Sequence, residues 1–260
     1  MRRPAVGATR RPAGTRSPRC SRTSCGLPVH RTSPFSAPPA LGPKDPIDFF
    51  VDSAGPLLTA LGTTIVMALV AGAGALVLGT LVAAARISPV PVLRGAAWAY
   101  TQFFVNVPLL ALLILAVFAL PDAGLIMPLA PTTVLVLALY EAAYVAEAVR
   151  SGVNTVGNGQ IEASRALGLT LGQTLRLVVL PQSLRAAVQP IGNVMIALTM
   201  NTALAAAVGV VELTSAVNKL NLVQAQPILI FTAAGLVYMA LALVIGLGAG
   251  RLERKAAIVR

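Results

Sequence analysis

Residues 57–85 read LLTALGTTIVMALVAGAGALVLGTLVAAA and carry no charge until Arg86. A helix needs about 20 apolar residues to cross a hydrocarbon core about 30 Å thick. This stretch is long enough, and a helix is the form it must take, because lipid offers no partner to an unpaired backbone group. Outward from it, further segments of the same character run at about 96–120, 129–149, 177–208 and 228–250, the fourth interrupted by Pro181, Arg185 and Pro190. The expected fold class is therefore all-α and integral to a membrane, with a core of five transmembrane helices and a polar cytoplasmic loop between the third and fourth.

Composition agrees. Of 260 residues 56% are hydrophobic, mean hydropathy is +0.79, and charged residues make up 11%, against about 25% in soluble domains. A soluble chain of this size could not keep so much apolar surface from water. The net charge of +11 would raise nucleic acid as a partner elsewhere. Here the arginines crowd into the first 44 residues or flank apolar runs, with no basic stripe interleaved with stacking aromatics. The cysteines, Cys20 and Cys25, and the sole histidine, His30, precede the apolar body. That inventory leaves the body no thiolate or imidazole metal site and no His-based triad.

Residues 1–48 are expected to form a disordered tail, and 49–260 the membrane domain. The first 44 residues are rich in Arg, Pro, Ser and Thr and contain no Asp or Glu, a composition that supports no packed core. No apolar run follows the early arginines as a secretory signal requires. Orientation comes from the loops. Arg86 and Arg94 flank the first, Arg150, Arg165, Arg176 and Arg185 mark the third, and Arg251, Arg254, Lys255 and Arg260 follow the fifth segment. Basic loops stay in the cytoplasm, so the C-terminus is expected inside. Five spans then put the arginine-rich tail outside, against the same rule. Translation from a start near Val51 would resolve the conflict.

Small residues recur every four positions at Ala71, Ala75 and Gly79 and at Ala242, Gly246 and Gly250. That spacing allows close helix contact, although small residues are common in membrane helices in any case.

The loop between the third and fourth segments, about 158–176, is the informative polar stretch. Gln160 to Leu167 reads as a short amphipathic helix that Gly168 can end in the left-handed conformation. Thr170 and Gln173 have the spacing of a capping box that opens a second helix. Physical chemistry alone leaves two readings for this hairpin, a rigid projection that docks a partner or a linker lying on the membrane surface.

The run Glu162-Ala163-Ser164, then Gly168, then Val178, Leu180 and Pro181 resembles the signature loop of permease subunits of binding-protein-dependent ABC importers. The family pattern is Glu-Ala-Ala, three residues, Gly, nine residues, Ile, any residue, Leu-Pro. Ser164 replaces the second Ala and Val178 the Ile. Flanking stretches resemble the polar amino acid branch: Tyr144-Val145-Ala146-Glu147 with Arg150, Pro181-Gln182-Ser183-Leu184-Arg185, Ile191-Gly192-Asn193, Asn201-Thr202-Ala203-Leu204 and Gly209-Val210-Val211-Glu212-Leu213. Ile87-Ser88-Pro89-Val90-Pro91-Val92-Leu93-Arg94 further resembles glutamate permeases of high-GC actinobacteria. The likeness covers about Ala54 to Gly250.

The resemblance implies one half of a type I importer pore, without catalysis of its own. A separate ATPase would hold the ATP and magnesium, a second permease subunit would complete the pore, and an extracytoplasmic amino-acid-binding protein would deliver substrate. No Gly-x-x-x-x-Gly-Lys-Ser/Thr loop is present to cradle phosphates. By the resemblance, Gln160, Glu162, Ala163, Ser164, Gly168, Leu169, Val178, Leu180 and Pro181 form the ATPase-docking loop. Where the family has Arg, then Asn or Gly, then Thr before Pro108, this chain has Val105, Asn106 and Val107. Where it has Lys and Ser around Asn201 and Thr202, this chain has Met200 and Ala203.

Spacings of seven, four and seven put Gln182, Gln189, Asn193 and Met200 on one face of the fourth segment. Asn106, Gln189, Asn193, Asn201 and Thr202 are the candidate substrate pathway. Glu141 lies deep in the third segment, where an ionisable group is costly. It would either favour a cationic substrate or contact another helix, through a polar group of the fourth segment. Glu147 and Arg150, three apart, can pair. The substrate expected first is glutamate or a relative, with a basic amino acid or another small solute as the alternative. A stand-alone carrier or channel should show internal repeats and paired intramembrane charges; no clear repeat is visible, and such a carrier leaves the loop without a role. Intact-mass measurement of the natively expressed protein should give a chain lacking residues 1–44; a mass that includes Met1 to Lys44 refutes the downstream start.

Overall fold

The computed structural model describes residues 46–256, with side chains from Ser53 to Lys255. The expected tail lies almost wholly outside the described residues.

Helix α1 (Pro46–Arg86) begins inside the stretch assigned to the tail and runs unbroken through the first apolar segment. Its hydroxyls would be costly in lipid. Thr59, Thr63, Thr64 and Thr80 instead donate to the carbonyls four residues back, at 3.0, 3.2, 3.2 and 2.6 Å. That bond keeps a polar side chain satisfied within its own helix.

The second segment departs from the single helix expected over 96–120. It is two helical pieces, α2 (Pro91–Asn106) and a run opened by α3 (Leu109–Ile114), bent by 101°. Proline is the cause. The ring of Pro108 disfavours helical geometry at the residue before it, and Val107 is extended at φ −102° and ψ 132°. Beyond α3 the chain widens into a π turn at Leu115–Ala119 and closes with α4 (Leu120–Asp122).

Helix α5 (Leu129–Asn154) is the hub, with residues from Thr132 to Gly152 buried against its neighbours. Its tightest neighbour is α1. Ala71 and Ala75 of α1 are fully buried. A methyl group added at Gly79 would lie 2.6 Å from Val145 Cβ and 2.7 Å from the carbonyl oxygen of Ala142. Backbone thus meets backbone along the first small-residue stripe.

After a short hairpin, α6 (Asn158–Ala166) and α7 (Leu171–Thr174), the fourth segment passes through a second π turn at Leu175–Val179. It continues as α8 (Leu180–Asn201) and ends in a 3-10 stretch, Thr202–Val208. Both π turns run directly into a Leu-Pro pair, Leu120-Pro121 and Leu180-Pro181. Proline removes a donor and crowds the carbonyl four residues back; the wider turn relieves that clash, and Leu180 N–H reaches back five residues to Leu175 O.

Helix α9 (Leu213–Gln224) lies where only a loop was expected, and α10 (Pro227–Ala256) is the last span. The α8–α10 approach uses the predicted stripe only in part: a Cβ at Gly246 would lie 3.6 Å from Ile196 of α8, the closest approach is Gly192 to Ala249, where an added Cβ would sit 2.5 Å away, and Gly250 meets nothing within 4 Å.

Glu212 fixes α9. Fully buried, it accepts hydrogen bonds from Thr214 N at 2.9 Å, Ser215 N at 2.8 Å and Tyr238 Oη at 2.8 Å. Thr64 Oγ1 lies 3.4 Å from it and accepts from Leu213 N at 3.1 Å. The carboxylate therefore caps α9 and ties it to α1 and α10, where the helix dipole also favours negative charge.

Gly79→Val should loosen the α1–α5 contact by about 1–3 kcal/mol, since the Ala142 carbonyl cannot move aside. Thermal unfolding of the detergent-solubilised chain checks this: the variant should melt lower than Gly250→Val, which enters open space.

Candidate functional site

The hairpin between α5 and α8 is built by local rules. Gly168 ends α6 at φ +83°. Its N–H bonds Arg165 O at 3.0 Å and Leu169 N–H bonds Ser164 O at 3.2 Å, so the orphan carbonyls of α6 are used. Thr170 opens α7 with a reciprocal capping box: Gln173 N–H donates to Thr170 Oγ1 at 3.3 Å and Thr170 N–H donates to Gln173 Oε1 at 2.8 Å. The turn presents Leu167, 83% exposed, and Leu171, 61% exposed, at its tip. Arg165 and Glu162 stand exposed beside them.

Of the nine loop positions singled out by sequence, Gln160, Glu162, Ala163, Gly168 and Leu180 are exposed, and Leu169, Val178 and Pro181 are half-buried. Ser164 is different. It is buried, with Oγ 2.7 Å from Ile161 O and 3.0 Å from Thr174 Oγ1. Its side chain faces into the hairpin, so it does not belong to the loop's outer surface.

The hairpin is rooted where α5 meets α8: a Cβ at Gly152 would lie 2.6 Å from Ser183 O. One turn earlier in α5, Glu147 joins three elements. Oε1 accepts from Arg86 of α1 at 2.6 Å, and Oε2 accepts from Arg150 at 2.8 Å. Arg86 also donates to Thr101 of α2. The pairing of Glu147 with Arg150 was legible from their spacing. Arg86 was missed as a partner because it lies far away in sequence; its position at the end of an apolar run was the only signal.

The expected pathway residues separate into two groups. Gln189, Asn193 and Met200 lie exposed along α8, while Gln182 is half-buried and donates to Val178 O at 3.0 Å. Asn106 is exposed, and its amide donates to Gln102 O at 2.7 Å beside the Val107 break. Thr202 is fully buried with Oγ1 donating to Thr199 O at 2.7 Å, which withdraws it from any route. Asn201 donates to Glu141 Oε1 at 2.7 Å. Glu141, 1% exposed, thus makes an interhelical contact from α5 to the end of α8. Among the described residues no cluster of His, Cys, Asp and Glu is placed to hold a metal.

Comparison with known proteins matches this arrangement. Residues 75–258 match the family described as binding-protein-dependent transport system inner membrane component. The glutamate transport system permease protein GluC of Corynebacterium glutamicum is 36% identical over 223 residues, 80% of this chain and 97% of that protein. The probable glutamine ABC transporter permease protein GlnM of Bacillus subtilis is 32% identical over 195 residues, 74% and 89% of the two chains. A crystal structure of an amino acid ABC transporter with histidines superposes with a TM-score of 0.75 at 25% identity, over 79% of this chain and 96% of that one. With its broken second span, polar hairpin and close-packed α1, α5 and α8, the chain belongs to the inner membrane components of binding-protein-dependent transport systems.

Proposed function

We propose that this chain forms half of the pore of an ABC importer for a polar amino acid, glutamate or a close relative, driven by ATP hydrolysed on a separate subunit. The observation that carries the reading is the hairpin. Two short helices locked by a Gly168 turn and a capping box hold Leu167 and Leu171 out in the open. Exposed leucines on a rigid, otherwise polar turn fit a docking surface for a soluble partner, with Glu162 and Arg165 at its rim.

The arginines of the basic loops support a cytoplasmic hairpin and C-terminus. Thr64, beside Glu212, and Arg86 lie 22 residues apart on α1, a rise of about 33 Å, which is close to the thickness of a hydrocarbon core. The Glu212 cluster and α9 then belong to the outer side, where a binding protein would deliver substrate.

A second permease subunit completes the pore. Gln189 and Asn193 are exposed amides on a membrane helix, a costly arrangement against lipid. Covered by a partner subunit, they line the route between the two halves. ATP and magnesium belong to the docked ATPase. Glu141 is held by Asn201, so it serves packing and does not select a cation; this favours the acidic or neutral substrate over a basic one.

Purification of the complex from native membranes tests the reading. ATP hydrolysis should be stimulated by one amino acid together with the co-isolated binding protein, and that amino acid is the substrate. An ATPase that never accompanies the chain under gentle conditions would favour a stand-alone carrier. Gly168→Val should abolish most uptake. The site has open space for a side chain, so the cost is that of positive φ alone, about 1–2 kcal/mol or more for a β-branched residue; unchanged uptake by this variant removes the hairpin from the mechanism.

A further inference from the structure

The hairpin has almost no core of its own. Gln160, Glu162, Ala163, Arg165 and Ala166 of α6 are exposed, as are Leu171, Gly172 and Gln173 of α7. Yet two hydroxyls meet inside it. Ser164 is 5% exposed and Thr174 is fully buried. Their oxygens lie 3.0 Å apart, and Ser164 Oγ is also 2.7 Å from Ile161 O. Among the described residues this is the only side-chain hydrogen bond between α6 and α7.

Ser164 Oγ faces both acceptors, so its single proton is divided between Ile161 O within α6 and Thr174 Oγ1 of α7. Thr174 stands directly before the π turn at Leu175–Val179, through which the hairpin connects to α8.

We propose that Ser164 is a positioning residue: its bond with Thr174 braces α6 against α7, so that a load applied at the exposed tip reaches α8 as motion of one body. This rests on the docking reading above. Without the brace, α6 is held to α7 by the four-residue turn at 167–170 and by packing against α7 and the π turn, with no side-chain hydrogen bond among the described residues, and part of the movement of a docked ATPase would be absorbed in the turn.

The two partners are not equivalent. Ser164→Ala leaves the buried Thr174 hydroxyl without a partner. Thr174→Val leaves Ser164 still bonded to Ile161 O. Replacing both leaves an apolar pair with nothing unsatisfied, which is often close to neutral.

The test uses the full complex, with its ATPase and binding protein, in proteoliposomes, and reads amino acid uptake per ATP hydrolysed. Ser164→Ala should lower that ratio about five- to tenfold. Thr174→Val should lower it less, and the double variant should recover most of the loss, a non-additivity that marks direct coupling. The KM for ATP should stay constant throughout, because the nucleotide binds the partner. A wild-type ratio for Ser164→Ala in an assembled complex overturns the brace, as do losses that simply add in the double variant. If the unsubstituted chain retains no ATPase, the docking reading itself falls, and the brace falls with it.

Discussion

The approach of α1 to α5 sets the register of the other helices. In lipid there is no hydrophobic drive between helices, and association depends on close packing and on hydrogen bonds. Gly79 allows the α1 backbone to touch the carbonyl of Ala142, and Ala71 and Ala75 continue the same face. Two turns beyond Gly79, α1 ends at Arg86, whose guanidinium lies against Glu147. A bulkier residue at 79 would move that cation away from its carboxylate. The helix contact and the ion pair are thus one arrangement, with packing deciding where the charges meet.

Three acids of the body, Glu141 and Glu212 buried and Glu147 half-buried, are each held by a different chemistry. Glu141 accepts from the Asn201 amide, Glu147 from two guanidiniums, and Glu212 from two backbone N–H groups and the Tyr238 hydroxyl. An unpaired ionisable group inside a membrane is expensive, so each of these acids commits its surroundings. Glu141 joins α5 to α8, Glu147 joins α1, α2 and α5, and Glu212 joins α1, α9 and α10. Together they clamp the bundle at its middle and near both ends, leaving the exposed amides of α8 as polar groups without a partner element among the described residues.

Three of the backbone irregularities lie beside proline. Val107-Pro108 bends the second span, and the Leu-Pro pairs at 120–121 and 180–181 each follow a π turn. The second of these turns joins the hairpin to α8. The hairpin is rigid because of its cap, its left-handed glycine and its inner pair of hydroxyls, and it adjoins the least regular part of the span. A stiff lever beside a widened turn is a geometry suited to passing motion from a docked subunit into a membrane helix.

Much of this was legible from consecutive residues. Apolar runs of sufficient length gave the spans. The Gly168 turn and the Thr170–Gln173 box were readable because their bonds close within a few residues, and Glu147–Arg150 was readable from a spacing of three. Other features depended on the tertiary structure. The bend at Val107, although its cause is local, was hidden because hydropathy runs straight across Pro108. Helix α9 was taken for a loop: the cap bonds from Thr214 and Ser215 to Glu212 are local, but the partners that let this acid be buried, Thr64 and Tyr238, lie on other helices. Ser164 read as a surface position because its family counterpart is a small residue in an exposed loop, and only folding brings Thr174 beside it. Hydropathy and local hydrogen bonds belong to neighbours along the chain, so the sequence alone determined the spans, the hairpin and its caps. Which partner satisfies a buried hydroxyl or carboxylate depends on which distant helix comes within 3 Å, and that only the packed structure decided.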